Sequence, residues 1–455
     1  MNRKKRRNLR FFIALFVAKI TYWVIKLIAK NRGTNKPGVF AVKICPDFLS
    51  RIGLPNNIIA ITGTNGKTTV TNMIDKILID NNHTTVINNE GSNMETGVAT
   101  ALIAESTCLG NCYRNWGIFE IDERISARIY EHITPDYLLC LNLFRDSIKR
   151  NGHAEYIFNK INTAIPQTTT LILNADDLIT SALQPNNQRI YFSVKPISKK
   201  KPTNIVQDIQ VCPVCKELLI YQYRHHHHIG FAKCNKCKFS SPKSDYIAQK
   251  KDNNLLIFEN KNKYLYPLIS ETIYNIYNTT AAITALRVME LSQEQIKEGL
   301  AKVSLINNRE NHYQNENQEI LTILAKNQNP ISSSMALDYT TQLKGNKIFI
   351  LLVTDTLDHK HGSEDISWLY DTDFEFLNKK DIKQIIVCGS RCYDVSLRLQ
   401  LAGIKEKLIT TNENYYNIKS LIDNQKIDKI IIAYELYGYQ HAINIKDEIV
   451  GDEYA

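Results

Sequence analysis

The sequence predicts an α/β protein of two parallel-sheet domains: a central P-loop domain carrying an inserted four-cysteine zinc ribbon, and a C-terminal Rossmann-like α/β domain. Three observations predict it. A buried strand, a glycine loop and an amphipathic helix succeed one another over residues 57–80. Two Cys-x-x-Cys pairs are separated by 18 residues, and apolar strands alternating with helical stretches recur after residue 346. A chain of 455 residues that is 44% hydrophobic can bury two or three cores. We divide it into a basic amphipathic N-terminal helix (1–35), a central domain (36–305) with the ribbon at 206–245, and a C-terminal domain (306–455).

The net charge of +10 is concentrated at the start, because residues 1–30 hold nine Lys or Arg and no acidic residue. The remainder is close to neutral, which disfavours a nucleic-acid partner, whose recognition needs basic charge spread over a folded face. After Arg3-Lys4-Lys5-Arg6-Arg7 an apolar run begins at Phe11, and Lys19 interrupts it. Lys19, Lys26 and Lys30 fall within about 40° on a helical wheel, leaving an apolar face with Phe12, Phe16, Tyr22 and Trp23. Two readings fit: a helix lying on an anionic membrane surface, or one docked on the protein's own core. A spanning anchor is a third. No small-residue cleavage site follows the apolar run, so the expected location is cytoplasmic, at the inner face of the membrane.

Asn57–Thr62 reads as a buried strand and Lys67–Asp80 as a helix with Val70, Met73, Ile74, Ile77 and Leu78 on one face. Between them stands Gly63-Thr64-Asn65-Gly66-Lys67-Thr68-Thr69. Glycines let main-chain N–H groups close around phosphate, Lys67 reaches the outer phosphates and Thr68 offers a hydroxyl to Mg²⁺. The full loop pattern would have glycine where Ile61 stands. Gly117–Glu123 is an alternating strand ending in Glu120, Asp122 and Glu123, and Glu120 is the candidate Mg²⁺ ligand. Strands ending in polar residues follow at Tyr137–Asp146 and Thr170–Asp177.

Cys212, Cys215, Cys234 and Cys237 have the spacing of two metal knuckles and predict a closed structural Zn²⁺ site. His225–His228, between the knuckles, are read as an exposed loop tip or an accessory metal tract. The other six cysteines show no ligand pattern and are read as buried or incidental.

Ile61–Thr69, Phe119–Glu123, Leu141–Asp146, Leu173–Asp177 and Tyr274-Asn-Ile-Tyr-Asn278 with Ala281-Ala282 together resemble the Mur ligase family, ATP-dependent enzymes that join an acyl phosphate to an amine. The four-cysteine insertion and the strands Lys347–Thr354, Ile382–Gly389 and Lys429–Ala433 resemble its glutaminase-coupled branch, the synthetase subunits of lipid II isoglutaminyl synthase. The resemblance implies ATP, Mg²⁺ and Zn²⁺ as cofactors, lipid II as substrate and a GatD-like glutaminase as partner. It implies amidation of the α-carboxylate of D-glutamate in the stem peptide through an acyl phosphate. It further implies nucleotide contacts from Asn275 and Arg309, catalytic roles for Lys67 and Glu120, and an aspartate that completes the partner's Cys-His pair. Asp365, which opens Asp365-Ile-Ser-Trp, is the candidate, with Asp355 and Asp358 competing for a nearby position. The alternatives are an amino-acid-adding ligase and an inactive nucleotide-binding scaffold. Lys149, His153 and Asn329-Pro330-Ile331-Ser332 depart from the branch's pattern.

Overall fold

The computed structural model describes residues 5–28, 35–88, 92–145, 153–197, 203–303, 310–314, 318–325, 329–353, 365–423, 427–435 and 437–451. Arg309, Asp355, Asp358 and Lys149 lie outside the described residues. The chain forms two compact units, Met1–Phe144, Ala154–Thr203 and Gln207–Leu305 in one, and Arg145–His153, Asn204–Val206 and Ile306–Ala455 in the other. Arg145, His153 and the segment Asn204–Val206, all within the span expected for the central domain, group with the second unit.

In the first unit a nine-stranded sheet is built from β1 (Asn57–Thr62), β2 (Thr85–Ile87), β3 (Trp116–Glu120), β4 (Tyr137–Cys140), β5 (Thr170–Asn174) and β6 (Arg189–Val194), a separate hairpin follows as β7 (Ile220–His226) and β8 (Ile229–Lys233), and the sheet closes with β9 (Tyr246–Lys251), β10 (Asn254–Glu259) and β11 (Asn262–Pro267). The sheet order is β11-β10-β9-β6-β5-β4-β1-β3-β2, parallel from β2 through β9 and antiparallel across β9-β10-β11. In β1 only Asn57 is exposed, as a strand covered on both faces requires. Ile58, Ala60, Leu138, Cys140, Leu171 and Leu173 alternate along their strands and share one core with residues of the leading helices.

Those helices are α1 (Leu9–Ile28), α2 (Lys36–Ile44) and α4 (Glu95–Glu105), while the buried residues of α3 (Lys67–Asp80) lie outside that core. Helix α1 is docked on the protein's own core along one side and leaves apolar residues exposed on the other. Phe11, Ala14, Leu15 and Ala18 are buried at spacings of three and four, with Phe11 stacked on Phe48 at 5.2 Å. Phe12, Phe16, Ile20, Trp23 and Leu27 remain exposed. The helix meets the length and composition required to span a membrane. Its basic residues depart from a purely lipid-facing role. Arg7 donates to the carbonyls of Arg51, Leu109 and Gly110, Arg10 to that of Ile44, and Lys19 to that of Ser106, closing main-chain ends of the protein itself.

In the second unit β12 (Glu310–Gln314), β13 (Glu319–Leu324), β14 (Lys347–Leu352), β15 (Ile382–Cys388), β16 (Ile409–Asn412) and β17 (Lys429–Tyr434) form a sheet of order β12-β13-β17-β14-β15-β16, parallel except for β12. Phe349, Leu351, Ile385 and Val387 face one core with Ala336, Leu337, Val395 and Leu399. Ile348, Ile350, Leu352 and Ile386 face another with Ala442, Ile445 and Ile449. Helices on both faces of a parallel sheet make this unit doubly wound.

Candidate functional site

The strand order places β1 between β3 and β4, where the chain's progression across the sheet reverses. The carboxyl end of β1 is therefore the crevice in which a parallel α/β sheet accepts ligands. Gly63–Thr69 leaves β1 there and enters α3. Gly63 has φ +132° and Gly66 φ +95°, which side chains rarely adopt, and a Cβ on Gly66 would stand 2.3 Å from Asn278 Oδ1. Helix α3 starts at Lys67 with no side-chain cap, so its first-turn N–H groups and positive dipole end remain for an anion. Thr69 lies in that first turn.

The loop is braced from below by the segment after β4. Thr64 N–H donates to Asn142 O at 2.8 Å, Asn65 N–H to Asn142 Oδ1 at 3.0 Å, and Asn142 Nδ2 back to Asn65 O at 2.9 Å. Phe144 N–H donates to Thr64 Oγ1 at 2.9 Å. Leu141–Phe144, quoted above only as a motif, thus acts as the mould of the loop.

Thr68 Oγ1 donates to Glu120 Oε2 at 2.8 Å, so the hydroxyl and carboxylate assigned to Mg²⁺ meet. Glu120 is itself placed by Asn88, whose side chain pairs with both the N–H and the C=O of Glu120. Lys67 pairs with Glu123 at 2.9 Å and also donates to Gly63 O at 2.5 Å. Burial is the largest influence and opposes the ammonium charge, but the Glu123 carboxylate, together with Glu120 and Asp122, raises the Lys67 pKa above its ordinary value. The structure places Glu123 and Asn88 at the site; sequence reasoning named Glu123 only as part of an acidic strand end and did not name Asn88. For Glu123 the available signal was a second acid directly after Asp122 at a strand end.

On the helix Ile273–Val288, Asn275 donates to Ser270 Oγ at 3.2 Å, and Asn278 is the residue set against Gly66. Sequence reading chose the first asparagine of the motif; the helix's rotation brings the second to the loop.

The four cysteine sulfurs lie within 4.8 Å of one another, with Cys212 to Cys237 and Cys215 to Cys234 each at 3.4 Å. A tetrahedral ion with bonds of about 2.3 Å to sulfur needs sulfurs about 3.8 Å apart, so this cluster can hold a metal. The expectation that His225–His228 form an exposed tip is overturned. His227 and His228 are wholly buried, His226 nearly so, and the half-buried His225 places a ring nitrogen 3.0 Å from Val194 O. The hairpin β7–β8 turns into the domain, where buried carboxylates and aromatic rings replace water around the imidazoles. Among the described residues these histidines form no metal-holding group, and His228 Nε2 lies 3.2 Å from Asp177 Oδ1.

In the second unit Asp365 Oδ1 accepts from Ser367 N–H at 3.0 Å and from its hydroxyl, ordering the turn before the helix Trp368–Asp371. The other acids nearby are committed to named partners, Asp371 to Arg145, Asp373 to Asn204 and Ile205 N–H, and Glu375 to Arg398. Asn329 caps the helix Pro330–Gln342 by accepting from Ser332 N–H. His153 is exposed.

Comparison with known proteins gives three sets of matches. The Mur ligase middle domain model matches residues 61–286, and the MurT ligase C-terminal model matches 324–437. The lipid II isoglutaminyl synthase (glutamine-hydrolyzing) subunit MurT of Staphylococcus aureus strain COL is 32% identical over 410 residues, 90% of this chain and 91% of that one. Its counterpart in Streptococcus pneumoniae is 28% identical over 429 residues, 92% and 93% of the two chains. Among solved structures, a pseudomurein peptide ligase type C from Methanothermus fervidus superposes with TM-score 0.66 at 19% identity, covering 93% of this chain and 85% of that one. The MurF ligase of Thermotoga maritima in complex with ADP gives 0.61 at 12%, covering 91% and 84%. At those identities the structures establish the fold alone.

Proposed function

The chain belongs to the Mur ligase family, in the branch of the lipid II isoglutaminyl synthase MurT subunits, and we propose that it performs that branch's reaction, the ATP-dependent amidation of the α-carboxylate of D-glutamate in the lipid II stem peptide. The observation that carries the reading is the constellation at the end of β1, where an open phosphate loop, a charged buried Lys67 and the Thr68–Glu120 pair converge.

A carboxylate is a poor acyl donor, so its oxygen first takes the γ-phosphoryl group of ATP, releasing ADP. Ammonia then attacks the carbonyl carbon, phosphate leaves, and D-isoglutamine results. The loop N–H groups and Lys67 hold the phosphates in line and offset the charge that spreads over them. Thr68 and Glu120 would hold Mg²⁺, which supplies neutralisation of phosphate charge when bound. Asn278 closes the loop beside Gly66, and Asn275 and Arg309 are proposed nucleotide contacts. Zn²⁺ is the metal proposed for the four cysteines, since four thiolates in a closed set suit it.

Glutamine would supply the ammonia through a GatD-like partner, with Asp365 orienting the partner's histidine. Asp365→Asn should abolish glutamine-dependent amidation and spare amidation by free ammonium; loss of both would reject this role. The exposed apolar face of α1 is proposed to seat on the anionic inner membrane leaflet, where a lipid-linked substrate is found. To test the reaction, the purified chain is given ATP, ammonium and lipid II. ADP release should match carboxylate lost, and amidation without ATP would contradict the mechanism.

A further inference from the structure

The His226–His228 turn is unaccounted for by the reaction as described, although its burial is among the deepest of any polar segment in the first unit. Its surroundings explain why. His228 Nε2 lies 3.2 Å from Asp177 Oδ1, both side chains fully buried, and His228 Nδ1 faces Asp208 at 3.8 Å. Asp177 Oδ2 accepts from Leu143 N–H at 2.8 Å and from Thr180 Oγ1 at 2.6 Å, and its Oδ1, which faces His228, also accepts from Ile179 N–H at 2.9 Å and Thr180 N–H at 3.3 Å. The Phe144 ring is packed against His228 at 4.6 Å between centroids and against His227 at 5.6 Å. Main-chain and ring contacts therefore hold Leu143-Phe144 from the hairpin side.

The opposite side of that same dipeptide holds the phosphate loop. Phe144 N–H donates to Thr64 Oγ1, and the adjoining Asn142 binds both Thr64 and Asn65. A continuous set of hydrogen bonds thus runs from His228 through Asp177 to Leu143, one residue from the link to Thr64. The hairpin is also fixed independently of His228, since Gly230 N–H donates to Asp176 O at 2.8 Å and Tyr223 OH to Asp176 Oδ1 at 2.9 Å. Replacing His228 alone should therefore leave the hairpin docked.

We propose that His228 is a positioning residue for ATP binding: by holding Asp177 it fixes the main chain of Leu143-Phe144 and, through it, the curvature of the Gly63–Thr69 loop. The proposal rests on the reading that this loop binds ATP. Loss of a buried hydrogen bond to a charged group corresponds to about a tenfold change in an equilibrium constant when the loosened group shapes the site.

The test measures ATP affinity, with magnesium, by titration calorimetry on the full chain. His228→Asn is too short to reach Asp177 and should bind ATP about tenfold more weakly. His228→Gln, whose amide nitrogen reaches the place of Nε2, should stay within about threefold of the wild type. Metal content should be the same in all three. Wild-type affinity in His228→Asn overturns the proposal, as does equal weakening by both variants, which would mark a packing role only. Should His228→Asn fail to fold, His228→Leu keeps an apolar contact with the Phe144 ring and removes the bond to Asp177; it should weaken ATP binding about tenfold, and wild-type affinity there overturns the proposal. Failure of the wild type itself to bind ATP would instead overturn the proposed function, and this role with it.

Discussion

Lys67 and Glu123 form a buried ion pair, and the removal of Glu123 has a size that can be worked out. The two charges stand 2.9 Å apart, with side-chain exposures of 12% for Lys67 and 8% for Glu123. At an effective dielectric of about 20 their attraction is about 6 kcal/mol, before desolvation is subtracted. Removing one member of such a buried pair strands the other and destabilises by about 3–5 kcal/mol. Glu123→Gln should therefore lower the urea stability of the nucleotide-free protein by about 3 kcal/mol. ATP brings phosphates to the same ammonium, so its stabilising effect should be larger in Glu123→Gln than in the wild type. In a cycle with Lys67→Met, the double variant should be more stable than the sum of the single losses by at least about 1 kcal/mol. Additive losses, or single losses below about 0.5 kcal/mol, would refute the view that the two side chains form a coupled ion pair.

Three further outcomes are expected. Purified protein should carry about one metal ion per chain, and Cys234→Ser should lose it; metal-free wild type after gentle purification would reject the four-cysteine site. Phe16→Glu with Trp23→Glu, both on the exposed side of α1, should abolish binding to anionic vesicles while leaving the thermal midpoint in place, because the docked residues Phe11 and Leu15 are untouched. Asp47 is held well below the ordinary carboxylate range by hydrogen bonds from Arg51, reinforced by Lys5 despite partial burial. A depressed pKa contributes stability that is present above the unfolded value, about 3.9, and is lost as pH falls through the folded value. The stability gap between wild type and Asp47→Asn should therefore be full at neutral pH and close only below about pH 4.

What was legible in the sequence follows from how local each signal is. The bounds of β1 and α3 could be read because a continuous apolar run ends at a glycine loop and a 3.6-residue pattern begins at once after it. The cysteine set was legible because its spacing is itself the chemistry. Helix α1 was ambiguous for a physical reason: apolar residues occupy both sides, and nothing within it says that Phe11 rather than Phe12 meets Phe48. The histidine turn was misread because its burial is balanced by Asp177, 51 positions away, and four consecutive imidazoles otherwise look like solvent-facing residues. Asn278 went unnamed as a contact beside Asn275 because a motif gives spacing but not the rotation of the helix, which sets Asn278 against Gly66.

The central claim is that this chain amidates a lipid-linked carboxylate at the Gly63–Thr69 site with ammonia from a separate glutaminase. The most direct measurement joins the chain with its glutaminase partner, glutamine, ATP and lipid II, and reads the stem peptide by mass spectrometry. The product should be one mass unit lighter, formed only with ATP and absent with Lys67→Ala. An unchanged stem peptide under those conditions, or full amidation by Lys67→Ala, would contradict it.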